Sequence, residues 1–217
     1  MGHDMLIQTD FRSSTRPSPE THVGILAFAQ PSAVTLYEGG TTIYGQGDPT
    51  GHLYLVEFGT VRLCRVAADG RRQISAFYLA GEVFGLEADR YRHFYAESVD
   101  SVGIRTLRPS QCEKFNQSMY QVALEGLTRA QEHLMVLGRQ NGIEKLAAFL
   151  LDIAERQSSQ RFVDLSMQRN DIADYLGLSF ETVSRILHKL KSAGAIRIPH
   201  VKQIEILDMD ALEQLRG

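Results

Sequence analysis

The 217-residue sequence predicts an α+β chain: a strand-rich N-terminal half, one long helix, and a C-terminal winged helix-turn-helix. Three observations predict it. Short apolar or alternating runs punctuated by glycine fill the stretch from Val34 to Leu107. An apolar repeat at alternating steps of three and four residues runs from Tyr120 to Leu137, and the segment RNDIADYLGLSFETVSRILHKL, residues 169–190, has the pattern of two short crossed helices.

The composition, 43% hydrophobic and 23% charged, supplies enough apolar material for two small cores. No window approaches about 18 consecutive apolar residues, and the N-terminus lacks the apolar core of a secretory signal. The sequence therefore predicts no membrane partner and a cytoplasmic location. A formal net charge of −3 argues against binding nucleic acid through an overall basic excess, so any such contact must come from a local patch. Cys64 and Cys112 lie far apart and form no CxxC pair. They read as two reduced thiols rather than a disulfide framework, a zinc site or an iron-sulfur site.

Taken in order, residues 1–20 contain Pro17 and Pro19 and show no periodicity, which predicts a flexible tail. The strand-bearing unit spans 21–109, with runs at 34–37, 41–44, 53–56, 61–66, 73–79, 83–86, 94–99 and 102–107. Turn signals fall between them at Gly39-Gly40, Gly47-Asp48-Pro49, Glu57-Phe58-Gly59, Asp69-Gly70 and Gly81-Glu82. Short strands at this spacing predict an antiparallel sandwich or small barrel. Pro109 closes that region, and 110–138 reads as one helix capped by Ser110, within a dimerisation segment spanning 110–140. On it Tyr120, Ala123, Leu127, Ala130, Leu134 and Leu137 form a coiled-coil seam, which predicts a homodimer. A second stripe of Phe115, Met119 and Val122 faces elsewhere, toward the barrel. Residues 141–156 form a strongly amphipathic helix that opens a C-terminal domain of 141–217, and 157–161 is a polar loop.

Within 169–190, Ala173 sits where the two helices cross and Gly177 at the turn, with Ile172, Leu176, Leu178, Val183 and Ile186 buried between them. A small residue permits the steep crossing, glycine permits positive φ, and Ser179 can cap the second helix. The exposed face of that second helix carries Phe180, Glu181, Ser184 and Arg185, then His188, Lys189 and Lys191. From Phe180 to Lys191 three cations (Arg185, Lys189, Lys191) oppose one acid (Glu181), a local net of +2 in a negative chain. This predicts docking in the major groove of double-stranded DNA, with the N-terminal residues at base edges and the later basic ones at phosphates. Arg185 can donate a fork to guanine O6 and N7, while Glu181 can accept from a cytosine amine and help hold that fork. Ser184 and Phe180 complete the base-facing set. Gln168 and Arg169, at the start of the first helix, are expected at phosphates with His188, Lys189 and Lys191. Beyond Gly194, runs at 195–198 and 203–207 around a turn at 199–202 make a wing, whose tip residue Lys202 can reach another phosphate.

These features resemble the CRP/FNR superfamily of bacterial transcription regulators from about Ala33 onward. The strand region carries that family's glycine framework as Gly47-Asp48, Leu53-Tyr54-Leu55-Val56, Gly59-Thr60-Val61, Gly70 and Gly81-Glu82-Val83-Phe84-Gly85. The resemblance implies a double-stranded β-helix jelly roll of the cyclic-nucleotide-binding type, a dimerisation helix and a winged helix-turn-helix. It also implies DNA, a second copy and RNA polymerase as partners. Family members that bind cyclic AMP have an Arg-Ser pair after the Gly-Glu motif; here that stretch reads Arg92-His93-Phe94-Tyr95, with aromatic bulk in place of the phosphate clamp. The oxygen-sensing members hold a cluster on N-terminal cysteines that this chain lacks. Glu181-Thr182-Val183-Ser184-Arg185 keeps their Glu-x-x-Ser-Arg pattern, which implies TTGA-type inverted half-sites.

This combination is most similar to the FixK-like branch, activators of genes for microaerobic respiration or nitrogen fixation. No cofactor, metal ligand or catalytic residue is assigned. The alternatives are a haem-based, nitric-oxide-responsive regulator of denitrification (His93, His133 and Met135 being nominal haem-ligand types), a jelly-roll small-molecule-binding module, and a cupin-like enzyme. The last needs clustered histidines, and the barrel region offers only His52 and His93.

Overall fold

The computed structural model describes residues 32–108, 113–159 and 161–216. The expected tail, Pro109, Ser110 and Cys112 lie outside them. Eight strands come first: β1 (Val34–Tyr37), β2 (Thr42–Tyr44), β3 (Leu53–Phe58), β4 (Val61–Val66), β5 (Arg72–Tyr78), β6 (Val83–Phe84), β7 (Tyr95–Ser98) and β8 (Val102–Leu107). They pair antiparallel as nested couples, first with last, second with seventh, third with sixth and fourth with fifth. A ribbon folded this way yields two facing sheets, β1-β8-β3-β6 and β2-β7-β4-β5, the jelly roll expected above. Val56, Val61, Phe84, Ala96, Val102 and Ile104 fill the space between them.

The strand limits differ slightly from the expected runs. Phe58 continues β3, so the reversal into β4 occurs at Gly59 and Thr60. Gly59 has φ +82°, and a Cβ there would lie 2.4 Å from the Ser101 carbonyl oxygen, so only glycine fits this approach. Strand β6 is two residues long, because the chain turns away at Gly85.

Helix α1 (Glu113–Leu137) follows, then α2 (Gly142–Arg156), strand β9 (Phe162–Asp164), α3 (Arg169–Leu176), α4 (Phe180–Ser192), β10 (Ile196–His200), β11 (Gln203–Ile206) and α5 (Met209–Arg216). One stripe of α1 does pack on the barrel: Phe115 and Val122 are buried, and Met119 partly so, against Leu53, Leu55, Val83 and Leu107. Each large apolar side chain buried this way contributes roughly 1.5–3 kcal/mol.

The wing differs from expectation in two ways. The turn tightens to Val201 and Lys202 because β10 runs through Pro199 to His200. Strand β10 is an edge strand with an irregular register between Arg197 and His200, the setting in which proline tolerates a strand. A third strand, β9, pairs with β11. Helix α5 was not expected either; the Asp208 carboxylate accepts from Ala211 N at 2.9 Å to cap it, and Leu212 is fully buried.

The largest core crosses from barrel to C-terminal domain. Ile74, Phe77 and Leu79 of the barrel join Leu146, Phe149, Leu150, Ile172, Leu176 and Val183 in one buried cluster. Phe77, Phe149 and Tyr175 form an aromatic triangle at this junction, with centroids 5.2–6.3 Å apart. Glu82, 4% exposed, ties three elements together there. It accepts from Arg129 of α1 at 2.9 Å and from Arg156 of α2 at 2.7 and 3.0 Å, and its Oε2 also takes the Leu79 N–H. Burial alone would raise this carboxyl, but the Arg156 and Arg129 guanidiniums hold it below the usual carboxylate range.

Candidate nucleic-acid interface

The reading head is built from α3 and α4. At the start of α3 the Asp171 carboxylate accepts the Gln168 backbone N–H at 3.3 Å, and at its end Gly177 takes the left-handed conformation with φ 62°. The Ser179 hydroxyl accepts Thr182 N at 3.2 Å and so caps α4, as its position predicts. Ile172, Ala173, Leu176 and Val183 are buried between the helices, while Leu178 and Ile186 are half-buried. Leu187 and Leu190 extend the buried face of α4.

With that face committed to the core, the opposite face is left to solvent. Phe180, Glu181, Arg185, His188, Lys189 and Lys191 are exposed, and Ser184 is half-buried. Gln168 is exposed beside the start of α3. Arg169 reaches across from α3 and its Nη1 donates to Ser184 Oγ at 3.3 Å, which brings that guanidinium beside a residue expected to face bases. Arg185 differs from expectation. Its Nη2 donates to Thr182 Oγ1 at 3.2 Å, and Glu181 acts on it through charge. Thr182 Oγ1 lies 3.1 Å from Ser179 Oγ in turn, a short relay from helix cap to arginine that sequence reasoning missed.

Glu181 is fully exposed. Its carboxyl sits below the usual range, first because of its own backbone N–H in the first turn of α4, then because of the Ser179 hydroxyl and the Arg185 charge. It is therefore an anionic acceptor at neutral pH, the state needed to receive a base amine.

Lys202 is exposed at the wing tip beside Val201, which is 90% exposed. Two further cations flank the wing. Arg161 and Arg197 both pair with the buried carboxylate of Glu205 on β11 while their own side chains stay 65% and 61% exposed. Their link to Glu205 lies across strands and left no mark in the sequence pattern.

The seam of α1 is open on the surface. Tyr120, Leu127 and Leu134 are 68%, 55% and 66% exposed, Ala123 and Ala130 are exposed, and Leu137 is half-buried. Leu124 and Met135 widen the apolar strip.

Inside the barrel, Arg92 is 2% exposed and faces inward. Its Nη1 and Nη2 donate to the carbonyls of Gly85 (2.6 Å) and His52 (2.7 Å), and its guanidinium carbon lies 4.3 Å from the Tyr44 ring centroid. Tyr44 and Tyr54 flank it and stack with each other and with Phe84, the Tyr54–Phe84 centroids being 5.2 Å apart, and Tyr78 meets Phe84 at a tilt. A cavity of about 290 Å³ remains between this aromatic group and α1, bordered by Phe94, Gly126 and Leu127. His93 pairs with Asp89 on the surface, His133 stacks on Tyr175 at 3.9 Å, and Met135 is exposed. Among the described residues no group of three His, Cys, Asp or Glu is placed to hold a metal ion. Cys64 is buried, and burial pushes its thiol up to about 11, so it is protonated and unreactive at neutral pH. Among the described residues no helix is long and apolar enough to cross a membrane.

Comparison with known proteins matches residues 144–215 to the Crp-like helix-turn-helix domain and residues 34–119 to the cyclic nucleotide-binding domain. The chain is 41% identical over 194 residues to the nitrogen fixation regulation protein FixK of Rhizobium meliloti, covering 89% of this chain and 92% of that one. It is 31% identical to the fumarate and nitrate reduction regulatory protein of Escherichia coli K12, over 82% of this chain and 76% of the other. Its fold superposes on the structure of FixK2 from Bradyrhizobium japonicum with a TM-score of 0.79 and 34% identity, covering 87% and 98% of the two chains.

Proposed function

The chain belongs to the CRP/FNR family of transcription regulators, and from that membership we propose a FixK-like activator that binds TTGA-type inverted repeats as a homodimer. The observation that carries the reading is the outward row Glu181, Ser184 and Arg185 on α4, in a protein whose α1 bears an exposed apolar seam. Two-fold pairing along that seam presents two reading heads to two half-sites, and Arg185 and Glu181 read a G·C pair in each. Gln168, Arg169, His188, Lys189, Lys191 and Lys202 supply the phosphate contacts, and Phe180 packs against the base next to that pair. Arg161 and Arg197 add charge at the wing.

The jelly roll acts here as a packing and orienting unit. Arg92, a buried arginine near the position of a phosphate clamp, has both terminal nitrogens engaged by main-chain carbonyls, so capturing a phosphate requires breaking two short hydrogen bonds. Similarity to regulators named for nitrogen fixation supports target genes of microaerobic respiration or nitrogen fixation, with RNA polymerase as the protein partner and the cytoplasm as the site of action.

The test is a gel shift with purified protein and no added ligand, on a TTGA palindrome and on a scrambled duplex of equal length. The expected result is selective retardation of the palindrome at moderate salt. Equal affinity for both duplexes sinks the reading.

A further inference from the structure

The reading head does not hang from α2 alone. Its first helix, α3, lies against the outer face of β4 and β5, where side chains far apart in sequence form a closed ionic cluster. Arg62 of β4 donates through Nη1 to both oxygens of Asp171 at 2.9 Å, while its Nε and Nη2 hold Glu97 of β7 at 2.9 and 2.6 Å. Arg72 of β5 donates to Asp171 at 2.6 Å and grips Asp174 at 2.7 and 2.9 Å. The Asp171 side chain is 3% exposed and Arg62 is 14% exposed, so the centre of the cluster is screened from water. Nearby, Ser166 donates to Thr60 at 2.7 Å.

We propose that Arg62 and Arg72 are positioning residues for DNA recognition, bracing α3 on the barrel so that the dimer accepts one separation between half-sites. The reasoning rests on the DNA-binding reading above. The apolar contact at this junction, Ile74 and Phe77 against Phe149 and Tyr175, is non-directional and tolerates sliding. Guanidinium forks are directional: each fixes both distance and orientation of the carboxylate it holds. Arg62 and Arg72 converge on the Asp171 carboxylate, and Arg72 also holds Asp174 one turn on through Nε and Nη2, so α3 is tied to the sheet at two points that oppose both rotation and sliding. Helix α4 crosses α3 through a shared core, so its orientation follows. The barrel is in turn packed on α1 through Phe115 and Val122, which places the dimer seam in the same rigid frame. None of the side chains proposed to face bases on α4 takes part in the brace, and Phe180, Glu181 and Arg185 stay exposed. Every donor and acceptor in it belongs to this chain, so the orientation is complete without any ligand.

The experiment measures binding of the full-length protein to TTGA palindromes whose central spacer is lengthened or shortened by one and two base pairs, and to a duplex with a single half-site. Amide hydrogen exchange of the β5 and α3 segments is followed in the free protein. The wild type is expected to prefer one spacer by about tenfold or more, since a rigid dimer meets half-sites one helical turn apart. In Arg72→Glu that preference falls toward unity, half-site affinity is unchanged, and exchange accelerates in β5 and α3 together. The reversed pair Arg72→Glu with Asp174→Arg restores both readouts, which separates the brace from a general folding defect. A variant R72E that keeps the spacer preference, or that keeps wild-type exchange, overturns the proposal, as does a reversed pair that restores neither. If the wild type binds no palindrome, the DNA reading fails, and the exchange comparison still decides whether the brace exists.

Discussion

Arg185 and Lys189 lie one turn apart on the exposed face of α4, yet the proposed docking gives them different work. A guanidinium at a guanine edge makes two directed bonds that other bases cannot receive, whereas an ammonium at a phosphate meets the same oxygen in any sequence. Arg185→Ala should therefore lose roughly 1–3 kcal/mol on the specific palindrome and little on random DNA. Lys189→Ala should weaken both equally and lower the salt slope by about one counterion per site. Anisotropy titrations at several salt concentrations separate the two, and equal effects of both variants on both duplexes would show the roles to be misassigned. The exposure of residues such as these was legible because the helix is short and its faces follow from the 3.6-residue period. Thr182 was not, since its hydroxyl serves Arg185 through a contact that only the folded rotamers create. Arg62 and Arg72 were less legible still: their partners on α3 lie 99 to 109 positions away, and no local pattern links them.

At the scale of elements, glycine spacing and alternation located the eight barrel strands to within a few residues, because tight reversals demand the residues that mark them. The misses have physical causes. Strand β9 is three residues long, too short for alternation to register, and it exists by pairing with β11. Helix α5 did carry a signal, an N-capping Asp208 followed by Met209, Leu212 and Leu215 at helical spacing. Two element-level predictions follow from the caps and faces. Ser179→Ala removes the side-chain acceptor for Thr182 N and should cost about 1 kcal/mol of stability by denaturant unfolding. Because that hydroxyl also touches Thr182 Oγ1, the same variant should weaken specific binding more than random binding. On α1, Leu134 is 66% exposed in the protomer, so Leu134→Glu leaves its own core intact while placing a charge in the seam. Sedimentation should then show separated protomers with unchanged helicity by circular dichroism. A dimer that survives this change would move the interface off the seam.

At the scale of the whole molecule, barrel and C-terminal domain share one core that Val136 of α1 borders, and a half-buried histidine and a buried glutamate at this junction make stability depend on pH in separable windows. His133 of α1 stacks on Tyr175 of α3, and burial lowers its pKa from the ordinary 6.5. In the interval below 6.5 the unfolded chain binds a proton that the folded protein refuses, so stability is full above that value and declines as pH falls through it. Glu82 responds further down. Its carboxyl is held below its ordinary 4.5 by Arg156 and Arg129 against the opposing effect of burial. Its contribution is thus present above 4.5 and is lost as pH falls through the depressed folded value, where the shared anion of both guanidiniums is neutralised. Thermal unfolding followed from pH 8 to pH 3 should accordingly show two successive declines. His133→Phe keeps the ring stack without a titrating group and should erase the upper one alone. Glu82→Gln should erase the lower one and also destabilise the protein by about 3 kcal/mol at neutral pH, because it leaves two guanidiniums at the junction without their anion. Retention of the lower decline in Glu82→Gln would assign the acid sensitivity to other carboxylates.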